Sequence, residues 1–280
     1  MRKRENPKLV LGRGGLRPKR HFGQNFLMDA QLAARIAELA TTPEGGSVVE
    51  LGAGTGALTS PLLLRARRVI AVERDRDLLP VLGAEFEAEL REERLQLLEM
   101  DAKSCDYAAL FAGQPRPHVV AGNLPYQITG PLLEKVTRVA SALDRVVFLV
   151  QLEVAERLAA RPLTREYGTL SVFVQNAFET QRAFVIRRGA FYPQPTIDSA
   201  VIVLTPRAAA LSPESPAFRG LVRGAFTKRR KVLRNAWQGV LGLSDAALQE
   251  AAERAHIDLT LRGEALSVEE FARMARELPA

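Results

Sequence analysis

Through the first two-thirds of the chain, short apolar runs alternate with longer stretches of helical spacing. SVVELG (47–52), RVIAVE (68–73), LQLLEMD (95–101), HVVAGN (118–123) and RVVFLVQ (145–151) are the apolar runs. ALTSPLLLRA, a stretch reaching about residue 90, ITGPLLEKVTRVAS and LEVAERLAA have the helical spacing. Strands with continuous apolar runs are covered on both faces, so this alternation predicts an α/β fold built on a doubly wound parallel sheet. Gly52, Glu73, Asp101 and Asn123 each close a predicted strand, and that end of such a sheet is where ligands bind.

Further on the pattern changes. GTLSVFVQNAFE (168–179) fits helix and strand equally. ETQRAFVIR and DSAVIVLTP read as two more strands, forming an antiparallel edge hairpin. Pro206, Pro213 and Pro216 mark a linker. Beyond it Phe218, Leu221, Val222, Ala225 and Phe226 share one helical face, and Val232, Leu233, Ala236, Trp237, Val240 and Leu241 share another. The expected organisation is a basic segment 1–24, an α/β domain 25–208 and a small all-α domain 209–280.

Composition narrows the function classes. No run approaches the ~20 apolar residues of a membrane span, and the basic start is not followed by an apolar signal core, so no membrane association is expected. A single cysteine excludes an intrachain disulfide and points to the cytoplasm. His21, His118 and His256 lack metal-ligand spacing, so no metal is expected. The net charge is +7, unevenly spread: residues 1–24 hold eight Lys/Arg against one acid, residues 218–243 hold seven and no acid, and the remainder is acidic by seven. Either run alone reads as a solvated face; two of them flanking an acidic body favour a polyanion, whose phosphates supply affinity without sequence information.

Candidate chemistry sits at the strand ends. ELGAGTGAL (50–58) is a glycine turn between strand and helix, with Gly52 and Gly54 approaching a ligand and Ala57 where a dinucleotide site prefers a third glycine. Glu73 can accept ribose hydroxyls. Asp101, beside Ala102, can accept an adenine amine or simply cap a helix. The three together suit S-adenosylmethionine better than a nicotinamide nucleotide, since S-adenosylmethionine has no pyrophosphate to cradle. After the fourth strand comes Asn123-Leu124-Pro125-Tyr126. An exocyclic adenine amine is a poor nucleophile because its lone pair is delocalised; holding both its hydrogens on acceptors localises that pair. The Asn123 side-chain oxygen and the main-chain oxygen of Leu124 or Pro125 can be those acceptors. Proline fixes the backbone, and Tyr126 can stack on the base. Cys105 could be a nucleophile, but Ser104 precedes it instead of the proline found in pyrimidine C5-methylating enzymes; a small loop or core residue is the simpler reading.

Asn-Leu-Pro-Tyr after such a turn resembles the adenine N6-dimethyltransferases of ribosomal RNA. RHFGQNFL (20–27), VERD (72–75), VQLEVAERLAARP (150–162), YGTLSV (167–172), AFYPQPTIDSAVI (190–202) and AFTKRRKVLRN (225–235) extend the resemblance along nearly the whole chain. It is nearest to the bacterial KsgA-type enzymes, which modify two adjacent adenines in the 3′-terminal hairpin of small-subunit ribosomal RNA. The resemblance implies a Rossmann-like class I methyltransferase domain using S-adenosylmethionine, followed by a helical RNA-binding domain. By its motifs Asn25 and Leu27 would line the cofactor pocket, Gly52 would meet the methionine part, Glu73 the ribose and Asp101 the adenine. Phe191 would face Tyr126 across a flipped adenine. Arg20, Lys228, Arg229, Arg230, Lys231 and Arg234 would grip RNA, in a monomer acting on the 30S precursor. Ala53 stands for a usual proline, Leu152 for a usual lysine and Thr169 for a usual arginine. The rivals are an NAD-dependent oxidoreductase, a family member that grips nucleic acid without methylating it, and the antibiotic-resistance branch acting on large-subunit RNA.

Overall fold

The protein was analysed as a computed structural model that describes residues 6–278. It divides into two compact units: the chain up to Ala155 with Gln181–Pro206, and Glu156–Thr180 with the residues from Arg207 onward. The segment 156–180, assigned from sequence to the α/β part, thus packs in the helical unit.

Nine strands are present among the described residues: β1 Phe26–Leu27, β2 Ser47–Leu51, β3 Arg68–Glu73, β4 Leu95–Glu99, β5 His118–Asn123, β6 Arg145–Gln151, β7 Phe178–Ile186, β8 Phe191–Tyr192 and β9 Ser199–Pro206. Seven form a sheet in the order β4-β3-β2-β5-β6-β9-β7. β2, β3, β4, β5 and β6 run parallel, and β9 pairs antiparallel with β6. The expected parallel sheet and its antiparallel edge are therefore both present. Val49, Ile70, Val120 and Val147, from four of the five parallel strands, are almost wholly buried, each such side chain contributing about 1.5–3 kcal/mol by leaving water. The chain leaves β2 toward β3 and β4 on one side, then returns to β5 and β6 on the other. A crevice opens at that reversal.

The ambiguous stretch resolves into a helix, Thr169–Ala177, running directly into β7. Two features had no periodic signal: the helix Pro7–Arg13, and the antiparallel pair in which Phe26 faces Tyr192 and Leu27 faces Phe191.

In the helical unit, Ser215 caps the helix Pro216–Thr227 through a 3.1 Å bond from the Phe218 amide, and proline sits in the first turn, where no amide is needed. Phe218, Leu221, Val222 and Ala225 enter its core as expected. Trp237 is fully buried, its indole donating to the Leu221 carbonyl at 2.8 Å. The second predicted face breaks up. The helix there is only Leu233–Ala236, and Leu241, at φ 57°, is 45 % exposed. The basic residues 228–231 consequently lie in a turn between two helices, not on one helix. No helix among the described residues is long and apolar enough to cross a membrane.

Candidate active site

A crevice lies at the carboxyl ends of β2, β3 and β5. Its walls are residues 21–26, the glycine turn, Val72–Arg74, Met100–Ala102 and residues 123–128. All of these belong to the α/β unit.

The glycine turn is shaped for close approach. Gly52 has φ 75°, and a Cβ built there would meet only the Asn123 main-chain oxygen, at 3.7 Å. Gly54 has φ 60°, and a Cβ there would press on the Phe26 ring at 3.2 Å. Side chains are thus excluded from a hollow directly beside Asn123, the space a bound ligand needs.

Glu73 is 7 % exposed. Its Oε2 accepts the Gly54 amide at 2.7 Å and its Oε1 accepts the Asp75 amide at 2.7 Å. Burial pushes its carboxyl above the usual range, and these two amide bonds pull the other way. Each carboxylate oxygen keeps a lone pair, so the residue that pins the turn can also accept a vicinal diol. Asp101 caps the short 102–104 helix through the Lys103 amide at 2.9 Å and also lines the crevice. The Arg74 guanidinium lies 3.3 Å from its other oxygen. Ala102, beside it, is nearly buried in the wall. The crevice fits S-adenosylmethionine by these features: a side-chain-free hollow at one end, a diol acceptor at the centre and an amine acceptor at the other.

The Asn123 amide donates to the Asn25 carbonyl at 2.8 Å. With its nitrogen so engaged, the amide presents its oxygen as acceptor. The Pro125 carbonyl is occupied twice, by the Ile128 amide at 3.1 Å and the Thr129 hydroxyl at 3.2 Å. The Leu124 carbonyl has no hydrogen-bond partner among the described residues, while its amide is fixed on Leu149 at 3.1 Å. Of the two oxygens considered from sequence, the Leu124 carbonyl is therefore the one left open to accept a hydrogen bond. Tyr126 is half-buried, with its hydroxyl 3.1 Å from Ser199 Oγ; burial raises its pKa.

Leu27 and Phe191 meet in the short strand pair beside the site. Both are buried, at 4 % and 5 %, and pair across β1–β8; Leu27 also lines a small hollow with Gly52, Gly54 and Asn123. Phe191 pairs with Leu27 and joins the core of the α/β unit. Asn25 does line the crevice, its amide held by the Gly23 carbonyl at 3.1 Å.

A network not foreseen from sequence fastens this wall. Asp75, 3 % exposed, accepts from Lys19 Nζ at 2.5 Å and Gln24 Nε2 at 2.8 Å, while the Lys19 amide donates to Gln24 Oε1 at 2.7 Å. Burial would raise the Asp75 carboxyl, but the bonds from Lys19, Gln24 and the Asp77 amide hold it below its usual value. Because the Asp75 amide itself binds Glu73, the strap 19–25 joins the diol acceptor to the Asn123 clamp. The sequence signal for it is the second acid of VERD (72–75).

Of the basic residues expected to grip phosphates, Arg229 is committed elsewhere. It binds Glu264 at 2.9 Å and the Arg165 carbonyl at 2.9 Å. Arg230 and Lys231 are exposed; Lys228 reaches the Asn235 carbonyl at 3.4 Å and Arg234 reaches Gln249 at 2.9 Å. The side chain of Arg20 and residues 1–5 of the basic N-terminal segment lie outside the described residues. Cys105 is buried, its thiol pushed up to about 11 by burial, as suits a core residue.

Comparison with known proteins agrees with this geometry. Residues 15–279 match the family described as Ribosomal RNA adenine dimethylase. A protein of Anaeromyxobacter sp. (strain K) named Ribosomal RNA small subunit methyltransferase A is 44 % identical, with 98 % of each chain covered. The protein of that name from Geobacter metallireducens is 40 % identical over 95 % of this chain and 97 % of its own. Among solved structures, the 23S rRNA methyltransferase ErmE superposes with a TM-score of 0.66 at 26 % identity, covering 91 % of this chain and 99 % of its own. A dimethyladenosine transferase from Plasmodium falciparum superposes at 0.76 and 23 % identity, covering 89 % and 95 % of the two chains, and speaks for the fold.

Proposed function

This chain belongs to the ribosomal RNA adenine dimethylase family, and on that premise we infer that it dimethylates N6 of two adjacent adenines in the 3′-terminal hairpin of 16S ribosomal RNA, within a 30S precursor. The observation that carries the reading is the pair of acceptors beside the side-chain-free hollow: Asn123 Oδ1, oriented by Asn25, and the Leu124 carbonyl, which accepts no hydrogen bond among the described residues.

Bound S-adenosylmethionine supplies an electrophilic methyl group. The residues of the chain prepare the nucleophile. A target adenine leaves its stack and lays its face on Tyr126, whose ring angle is set by Ser199. Its N6 hydrogens point at Asn123 Oδ1 and Leu124 O, so the nitrogen lone pair turns toward the hollow at Gly52. This is catalysis by orientation. The methylated amine is acidic enough to release its proton to water, and no side chain is required as general base. Glu73 and Asp101 hold the ribose and adenine of the cofactor, while the strap from Lys19 to Asn25 keeps the two ends in register.

The small-subunit target is supported by two relatives named for it, at 44 % and 40 % identity over nearly the full length. Phosphates meet the exposed cations of the 228–231 turn, and the enzyme works as a monomer in the cytoplasm. The test is transfer of labelled methyl from S-adenosylmethionine to unmodified small-subunit and large-subunit RNA, followed by nucleoside analysis. N6,N6-dimethyladenosine in small-subunit RNA is expected. Label confined to large-subunit RNA, or binding of NAD instead of S-adenosylmethionine, would overturn the reading.

A further inference from the structure

We propose that the loop Arg161–Glu166 is an RNA-contacting wedge whose tip, Leu163, packs its side chain on the exposed face of a base or sugar in the RNA. The inference rests on the RNA-methylating reading above and adds a contact made by apolar packing and not by phosphate attraction.

Leu163 combines two costs. It is 77 % exposed, the most exposed of the large apolar side chains among the described residues. Its φ is 66°, in the left-handed region that glycine or asparagine occupies readily and leucine does not. Neither cost is offset by packing of the leucine itself, so an unstrained polar residue would serve the fold better. An outlier of this kind survives where surrounding structure over-determines it, and such residues gather at functional surfaces.

The surroundings over-determine this one. The Leu163 amide donates to the Glu264 carbonyl at 2.8 Å. The Thr164 hydroxyl donates to the Arg161 carbonyl at 2.7 Å and its amide to the same oxygen at 3.2 Å. From the other side the Arg229 guanidinium takes the Thr164 carbonyl at 3.4 Å and the Arg165 carbonyl at 2.9 Å, and is itself held by Glu264 at 2.9 Å. Buried Tyr167 closes the loop, its hydroxyl on the Leu266 carbonyl at 2.9 Å. Arg229 thus leaves phosphate gripping to its neighbours and serves as the strut of a rigid projection.

The chemistry around the tip points to nucleic acid. Arg161 and Arg165 are exposed on the loop, with Glu166 the single acid among its exposed residues, and Arg230 and Lys231 follow the strut residue, also exposed. A leucine on a loop that also exposes two arginines suits a polyanion that offers apolar faces. RNA with splayed bases does so, and apolar side chains wedged against bases are an established means of holding deformed nucleic acid.

The full chain is titrated, at several salt concentrations, with a small-subunit RNA fragment carrying the 3′-terminal hairpin. Leu163→Gly and Leu163→Asn relieve the backbone, so their melting temperatures should equal or exceed the parent's, while RNA affinity falls about tenfold, the size expected for losing one buried apolar side chain. The slope of log K against log salt should stay unchanged, because no phosphate contact is removed. S-adenosylmethionine affinity should not move, and Leu163→Met should restore binding. Parent-like RNA affinity in both Leu163→Gly and Leu163→Asn would overturn the proposal. So would lowered melting temperatures in both, or a defect seen only on assembled particles, which would mean that the tip meets a protein. If an Arg230→Glu/Lys231→Glu chain loses RNA while the Leu163 variants do not, the wedge fails and the RNA reading stands. If the parent binds no RNA, the underlying reading fails.

Discussion

Replacing Gly52 by alanine separates the cost to the fold from the cost to the ligand. At φ 75° a β-carbon is disfavoured, by about 1–2 kcal/mol for a residue forced into the left-handed region. No clash is added, since the only neighbour within 4 Å is the Asn123 main-chain oxygen, at an ordinary 3.7 Å. For a chain of this size each kcal/mol lowers the melting temperature by roughly 2–4 °C, so scanning calorimetry should show a loss of about 2–8 °C. The new methyl enters the hollow where the methionine end of the cofactor is placed. Displacing the ligand there should weaken S-adenosylmethionine by about tenfold or more, equivalent to at least ~1.4 kcal/mol, read by titration calorimetry on the folded variant. Gly54→Ala is the contrast. Its β-carbon meets Phe26 at 3.2 Å and it moves an amide that Glu73 holds, so stability should fall further. A Gly52→Ala chain that binds S-adenosylmethionine as tightly as the parent would refute the placement of the cofactor in this hollow.

Lys19→Met should loosen the strap, raising the KM for S-adenosylmethionine more than it lowers kcat. The stability difference from the parent should be full above the ordinary aspartate pKa of about 4 and vanish as pH falls through the depressed Asp75 value; on the alkaline side it should fade only as pH rises through the raised Lys19 value. A constant difference across the acid range, in pH-dependent thermal melts, would contradict the ion pair. Arg230→Glu with Lys231→Glu should weaken RNA binding and flatten the salt slope by about two units, roughly 0.9 per phosphate contact, whereas Arg229→Glu should lower the melting temperature by setting two acids against each other at Glu264. Cys105, buried with its thiol pushed up to about 11, should resist alkylation in the native protein; rapid labelling with loss of methyl transfer would revive the nucleophile reading.

Most of the sheet was legible because its physics is local. RVIAVE, HVVAGN and RVVFLVQ coincide with β3, β5 and β6, since a continuous apolar run has only the buried strand to occupy once turns bracket it. The clamp was legible because its parts are adjacent in the chain, although which carbonyl serves depended on Thr129 reaching back to Pro125. What stayed hidden is non-local. The two-residue strands β1 and β8 have no periodicity to read, and their pairing buries Leu27 and Phe191 against each other. Asp75 looked like any acid of a charged turn until Lys19 and Gln24, more than fifty residues away, closed over it. The basic stretch kept helical spacing across residues 228–231, but the chain turns there, and Gly239 at φ 73° ends the pattern again.

The measurement that bears most directly on the account is methyl transfer by Asn123→Ala to unmodified small-subunit RNA, with S-adenosylmethionine affinity measured alongside. Loss of one oriented hydrogen-bond partner at the reacting nitrogen should lower kcat by roughly 10²–10³-fold while the folded variant still binds the cofactor. An Asn123→Ala chain that dimethylates adenine at the parent rate would contradict the claim that Asn123 Oδ1 and the Leu124 carbonyl aim the amine.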